Sequence, residues 1–179
     1  GRLQNTKSIC LLAIGIIYIV SMFQLEHWKK NIYYGDSWGY YSYLPAYFIH
    51  HDLGDYKVTV ETTQKYESSF VDPLLDPYGL YHKHPTTGHN VIKYSSGVAL
   101  MLSPFFAVSH FIAKIGGLTA DGFSTIYKLF LGFGVIFWVS LGLWCLYSAI
   151  EKYFSQFVTV LTIVSISLAT NLFYNTTLN

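Results

Sequence analysis

Four long apolar runs alternate with polar segments along the chain, at about 8–25, 96–115, 123–148 and 157–173. Each is close to the roughly 20 residues a helix needs to cross about 30 Å of hydrocarbon. Lipid offers no water to an exposed backbone N–H or C=O, so the runs are predicted as helices rather than strands. Pro104, inside the second run, is predicted to kink it. The first run follows Arg2 and Lys7, as a signal peptide would, but "SMFQLEHWKK" contains no small-residue cleavage site. It is read as an anchor.

The segment at about 27–95 is too long to be a simple connection. Within it Trp38, Tyr41, Leu44 and Phe48 recur at helical spacing, with Pro45 interrupting them. This predicts one or two short amphipathic helices lying along the membrane surface. "YKVTVET" alternates in the manner of a short strand. "VDPLLDPYGLYHKHPTTGHN", rich in Pro, Gly, Asp and His, reads as irregular loop.

Composition settles which solvent the chain is built for. Hydrophobic residues make up 52%, aromatic residues 18% and charged residues 12%, against about a quarter charged in a soluble domain. The expectation is an all-α, multi-pass membrane protein with a long extracytoplasmic first loop. Asp36, Asp52, Asp55, Glu61, Glu67, Asp72 and Asp76 fall in that loop, with Lys29, Lys30, Lys57, Lys65, Lys83 and Lys93. A net charge of +1 supplies no basic face for nucleic acid. Cys10 and Cys145 lie in apolar runs and read as small core residues.

Basic residues in short loops set orientation. Arg2 and Lys7, with Lys114 after the second run, favour a cytoplasmic N-terminus, whereas Lys152 counts on the other side and Lys128 sits at a helix edge. The opening glycine and the close on "FYNTTLN" read as the N-terminal part, 1–179, of a larger polytopic domain. Thr159, Thr162, Ser165, Ser167 and Thr170 would then be a packing surface for helices beyond Asn179.

Candidate chemistry centres on "GDSWGYYSYLPA", where Asp36 stands among tyrosines. One reading makes Asp36 a helix cap and the rings an interfacial belt. The other makes it a catalytic carboxylate. The order of a first helix, "GDSWGYYSYLPA", a long outer loop and "IKYSSGVALMLSPFF" resembles the GT-C superfamily of membrane glycosyltransferases, which includes the protein O-mannosyltransferases and the lipid A aminoarabinose transferase. "KYSSG…LSPFF" in particular is similar to the entrance to the second helix in bacterial members, and the resemblance covers essentially the whole chain.

That resemblance implies transfer of a sugar from a polyprenyl-phosphate donor to a glycan, lipid or protein acceptor. The reaction would take place on the extracytoplasmic face of a bacterial inner (plasma) membrane. Asp36 matches the acidic residue of the first outer loop, and as general base it would take the acceptor's proton in an inverting displacement. An aromatic, partly dry setting is expected to raise its pKa. Lys93, with Tyr94, matches a lysine that contacts the carrier phosphate, whose leaving charge calls for a cation; the plainer reading is a snorkelling interfacial lysine. The fragment by itself is expected to be inactive, since later helices would close the carrier groove.

His50, His51, His82, His84 and His89 invite a metal, but no cysteine or carboxylate stands at a ligand spacing. No metal and no cofactor is expected. Some GT-C oligosaccharyltransferases use a divalent cation beside the loop acid, yet nothing adds a second acid to Asp36. Asp52 and Asp55 read as the loop after the surface helix. "NTT" at Asn175 matches a glycosylation sequon, which the orientation above puts on the cytoplasmic side. Two other classes stay open. A transporter would carry ionisable groups within its spans, and a non-catalytic scaffold or subunit would grip a partner through its aromatic loop.

Overall fold

The computed structural model describes residues 2–29, 31–33, 35–70 and 81–177. Helices dominate: α1 (Arg2–Leu25), α2 (Gly35–Tyr41), the single turn α3 (Tyr43–Pro45) and a π-helical segment (Ala46–His50), then α4 (Lys57–Tyr66). Strands β1 (Tyr81–Lys83) and β2 (Asn90–Ile92) follow, and after them α5 (Gly97–Ile115), α6 (Thr125–Ile150), α7 (Gln156–Leu168) and α8 (Asn171–Thr177). The described chain is mostly helical, as expected; β1 and β2 add a short hairpin that pairs antiparallel with Tyr81 opposite Ile92. Asp72 and Asp76 lie outside the described residues, as does the part of the expected irregular loop at 71–80.

Among the described residues, α1 from Asn5, α5 and α6 are long and apolar enough to cross a membrane. Helices α7 and α8 make a fourth candidate, bent by 55° at their junction. Helix α5 passes Pro104 without a break. Proline cannot donate to the carbonyl four residues back; the Ser103 hydroxyl donates to that Leu100 oxygen instead, at 2.8 Å.

The chain forms two compact units. One comprises residues 1–28 and 132–179. In α1 the buried stripe Ile14, Tyr18 and Met22 recurs every four residues, one face of a helix. Tyr18 is fully buried and donates its hydroxyl to the Ser167 carbonyl at 2.8 Å. Thr159 and Ser167 are buried inside this unit, where α1 packs on α7 and α8. Part of the hydroxyl surface assigned to helices beyond Asn179 is therefore covered by α1. The Ser167 and Thr170 hydroxyls return to carbonyls four residues earlier, so neither adds an unpaired polar group to an apolar setting.

Helices α1 and α6 run antiparallel in this unit. At one end Lys7 reaches Ser148 and Glu151, at 2.5 and 3.2 Å, and lies over the rings of Trp144 and Tyr147. At the other end the Phe23 and Phe133 rings meet with centroids 6.2 Å apart, and Gly132 leaves room for the Met22 sulfur.

The second unit, residues 29–131, is built on an aromatic core of Trp38, Tyr41, Tyr56, Phe106, Phe123 and Tyr127. Trp38, Tyr41 and Leu44 share one helical face as expected, but that face enters this core, and Phe48 is exposed. "YKVTVET" is corrected from strand to the start of α4. Tyr56, Thr59, Val60 and Thr63 are buried at helical spacing, and the Thr62 and Thr63 hydroxyls bond to the Val58 and Thr59 carbonyls, both at 2.8 Å. The Asp52 carboxylate accepts from the backbone N–H and hydroxyl of Thr59, at 2.9 and 2.7 Å. It satisfies a first-turn donor of α4 in the way an N-cap would.

Candidate functional site

Asp36 lies in the first turn of α2, one residue inside the helix rather than before it. The α2–α3 stretch has two working faces. Trp38, Tyr41 and Leu44 enter the core, while Asp36, Gly39, Tyr40 and Tyr43 stand three or four residues apart along the opposite side and so share a face. That second face receives the chain as it leaves β2.

Tyr94 is the keystone of this contact. Ile92 is buried, Lys93 exposed and Tyr94 half-buried, as expected where a strand alternates sides. The Tyr94 ring covers Gly39 so closely that any side chain there would overlap it. It packs on Tyr40 with centroids 4.6 Å apart, and its carbonyl accepts from the Tyr43 hydroxyl at 2.6 Å. From this position the Tyr94 hydroxyl donates to the Asp36 carboxylate. The Lys93 ammonium stands 5.0 Å from the Tyr94 ring centroid, within cation–π range.

Tyr94 thus meets Asp36, and the adjacent Lys93 ammonium lies over the Tyr94 ring. Their setting corrects one expectation: Asp36 is exposed rather than partly dry. The supporting residues Gly39, Tyr40 and Tyr43 were missed, although the spacing 36, 39, 40, 43 is the signal that would have found them. Burial pushes the Tyr43 hydroxyl above its ordinary pKa, which keeps it protonated as a donor to Tyr94. Chemically, the cluster offers a carboxylate to accept a proton, a phenol that fixes its orientation and an ammonium over the phenol ring.

The histidines disperse. His82, His84 and His89 belong to the exposed β1–β2 hairpin, whose turn needs the left-handed φ of Gly88. His89 stands 4.0 Å from Asp55. His50 is half-buried, and burial lowers its pKa more than Asp52 and Asp121 raise it. Among the described residues no three His, Cys, Asp or Glu side chains converge as a metal site would require.

Asp121, unremarked in the sequence, ties the α5–α6 connection together. One carboxylate oxygen accepts from the N–H groups of Phe123 and Ser124, at 2.9 and 3.1 Å, and the other from the Tyr66 hydroxyl at 2.5 Å. This is a structural knot within the second unit. No protein-family model, curated protein or solved structure matches the chain.

Proposed function

We propose that the chain carries the acceptor-activating site of a GT-C-type glycosyltransferase, with a polyprenyl-phosphate sugar as donor. The observation that supports this reading is the Asp36–Tyr94 hydrogen bond with Lys93 beside it. It joins the candidate base to the candidate phosphate contacts. In the proposed step an acceptor hydroxyl attacks the anomeric carbon and its proton passes to the Asp36 carboxylate. The bond from that carbon to the phosphate oxygen breaks, and the polyprenyl phosphate leaves with the electron pair. On this reading the Lys93 charge offsets the phosphate's, while Tyr94 keeps the carboxylate aimed. On this reading the site faces the extracytoplasmic side of a bacterial inner membrane, with the N-terminus in the cytoplasm. The acceptor is a glycan, a lipid or a protein.

The test is a transfer assay on membranes carrying the intact protein, with radiolabelled polyprenyl-phosphate sugars as donors. Label transferred by the wild type and lost in Asp36→Asn supports the reading. Equal transfer by both, or transfer by neither across a broad donor panel, rejects it and favours a non-catalytic scaffold or a transporter.

A further inference from the structure

Helix α5 passes every test of length and composition for a membrane span. Its neighbours argue otherwise. Because α1 and α6 are antiparallel, the C-terminal end of α1 and the N-terminal end of α6 lie at the same end of the pair. If both cross the membrane, the chain between them leaves and re-enters at one face. The second unit records the same return independently. Lys128 donates to the Lys29 carbonyl at 2.7 Å, and the Tyr33 hydroxyl donates to the Phe123 carbonyl at 3.0 Å.

A chain that returns to the face it left has crossed an even number of times. Between Lys29 and Lys128, α5 is the one candidate span among the described residues. Among the described residues that leaves a single crossing, an odd number, and parity argues against it.

We propose that α5 is a membrane-surface helix whose partner is the lipid monolayer on the side of the 29–95 segment. Its two faces fit that role. Ala99, Phe106, Ser109 and Ala113 are buried in the second unit. On the other side Leu100, Phe111 and Ile115 are 74%, 65% and 71% exposed, with Met101 and Val108 between them. A continuous apolar stripe of this kind on a water-facing helix would be an unexplained patch; in the interface it is the anchoring face. Both ends of the helix are held by the same neighbourhood: Tyr43 bonds to Tyr94 before α5, and Tyr41 bonds to Gly122 after it. Lys93 and Lys114 then flank one face, where their stems can cover lipid while the ammonium groups stay wet. Lys152 joins Arg2 and Lys7 on the other, which gathers the short-segment basic residues on one side. The inference does not depend on the proposed transferase activity.

The test uses the intact protein in sealed membrane vesicles, with Cys10 and Cys145 replaced by serine. Single cysteines at Lys83, Leu118 and Lys152, all exposed positions, are labelled with a membrane-impermeant maleimide before and after permeabilisation. The expected result is that Lys83→Cys and Leu118→Cys react from one compartment and Lys152→Cys from the other. Reaction of Leu118→Cys from the Lys152 side, or of Lys152→Cys from the Lys83 side, overturns the proposal. Should Leu118→Cys stay silent, a protease site inserted after Gly117 decides by the side from which it is cut. Nitroxides at Leu100, Val108, Phe111 and Ile115 test the lipid partner. All four should be more accessible to oxygen than to a water-soluble nickel chelate and lie at similar depth. Exposure to the chelate, or a depth that peaks at Val108 and falls to either end, would overturn it.

Discussion

The hydroxyl of Tyr94 donates to the carboxylate of Asp36, two residues 58 positions apart in sequence. If Asp36 is the general base, Asp36→Asn should lower transfer by about 100-fold or more, the usual scale for losing such a group. Tyr94→Phe removes only the hydrogen bond that aims the carboxylate, and a loss of about 3- to 10-fold is expected. Initial rates of label transfer check both. A Tyr94→Phe loss as deep as that of Asp36→Asn would contradict the division of roles.

Gly39→Ala should damage the same contact through shape alone, because the added methyl meets the Tyr94 ring. Overpacking of this kind costs about 1–3 kcal/mol. Gly15→Ala is the control, since its methyl would meet nothing within 4 Å. Thermal unfolding in detergent should separate the two variants, with only the first shifted down.

Trp38 donates its indole N–H to the Thr63 hydroxyl at 3.0 Å, and both side chains are buried. Thr63→Val leaves that donor without its acceptor, at a cost of about 1–3 kcal/mol. Trp38→Phe in the same chain removes the stranded donor. A double-mutant cycle read by chemical denaturation should therefore show coupling; strictly additive losses would refute it.

Asp52→Ala should loosen α4 by removing the acceptor for the Thr59 N–H. The expected cost is about 1–2 kcal/mol. Faster hydrogen exchange confined to Lys57–Tyr66 is the diagnostic readout.

His50 introduces a pH dependence. Burial, the largest influence, lowers its pKa; Asp52 and Asp121 raise it, and Lys65 lowers it. The folded protein therefore holds His50 neutral in a range where the unfolded chain binds a proton. Stability rises with pH through that range, is fully present above the ordinary histidine value of about 6.5, and falls as the pH drops below it. Unfolding followed from pH 7.5 to 5 should show this decline, and His50→Gln should flatten it.

The helices were legible because apolar runs of the right length have few alternatives in lipid, and α2 and α3 because Trp38, Tyr41 and Leu44 keep helical time. The segment now seen as α4 was misread for a physical reason. Valine and threonine favour strands, and the acceptor that starts this helix, Asp52, stands seven residues before its partner Thr59. At the site, Asp36, Lys93 and Tyr94 could be named one by one. That Tyr94 reaches Asp36 could not be read from local pattern, since a tertiary contact across 58 positions leaves no periodicity; the local trace is the face 36, 39, 40, 43, with a glycine at 39 that leaves room for the ring.

The bond from Lys128 to the Lys29 carbonyl spans 99 positions, and closing so long a loop from an open chain costs about 4 kcal/mol in entropy. Contacts such as Asp52 to Thr59, or the β1–β2 hairpin, close far shorter loops and can shorten the path first. Assembly should therefore be ordered, with α4 and the hairpin protected early and the Lys29–Lys128 closure sealing late. Pulse-labelled hydrogen exchange during refolding would display that order as early protection of the α4 amides and late protection at the start of α6.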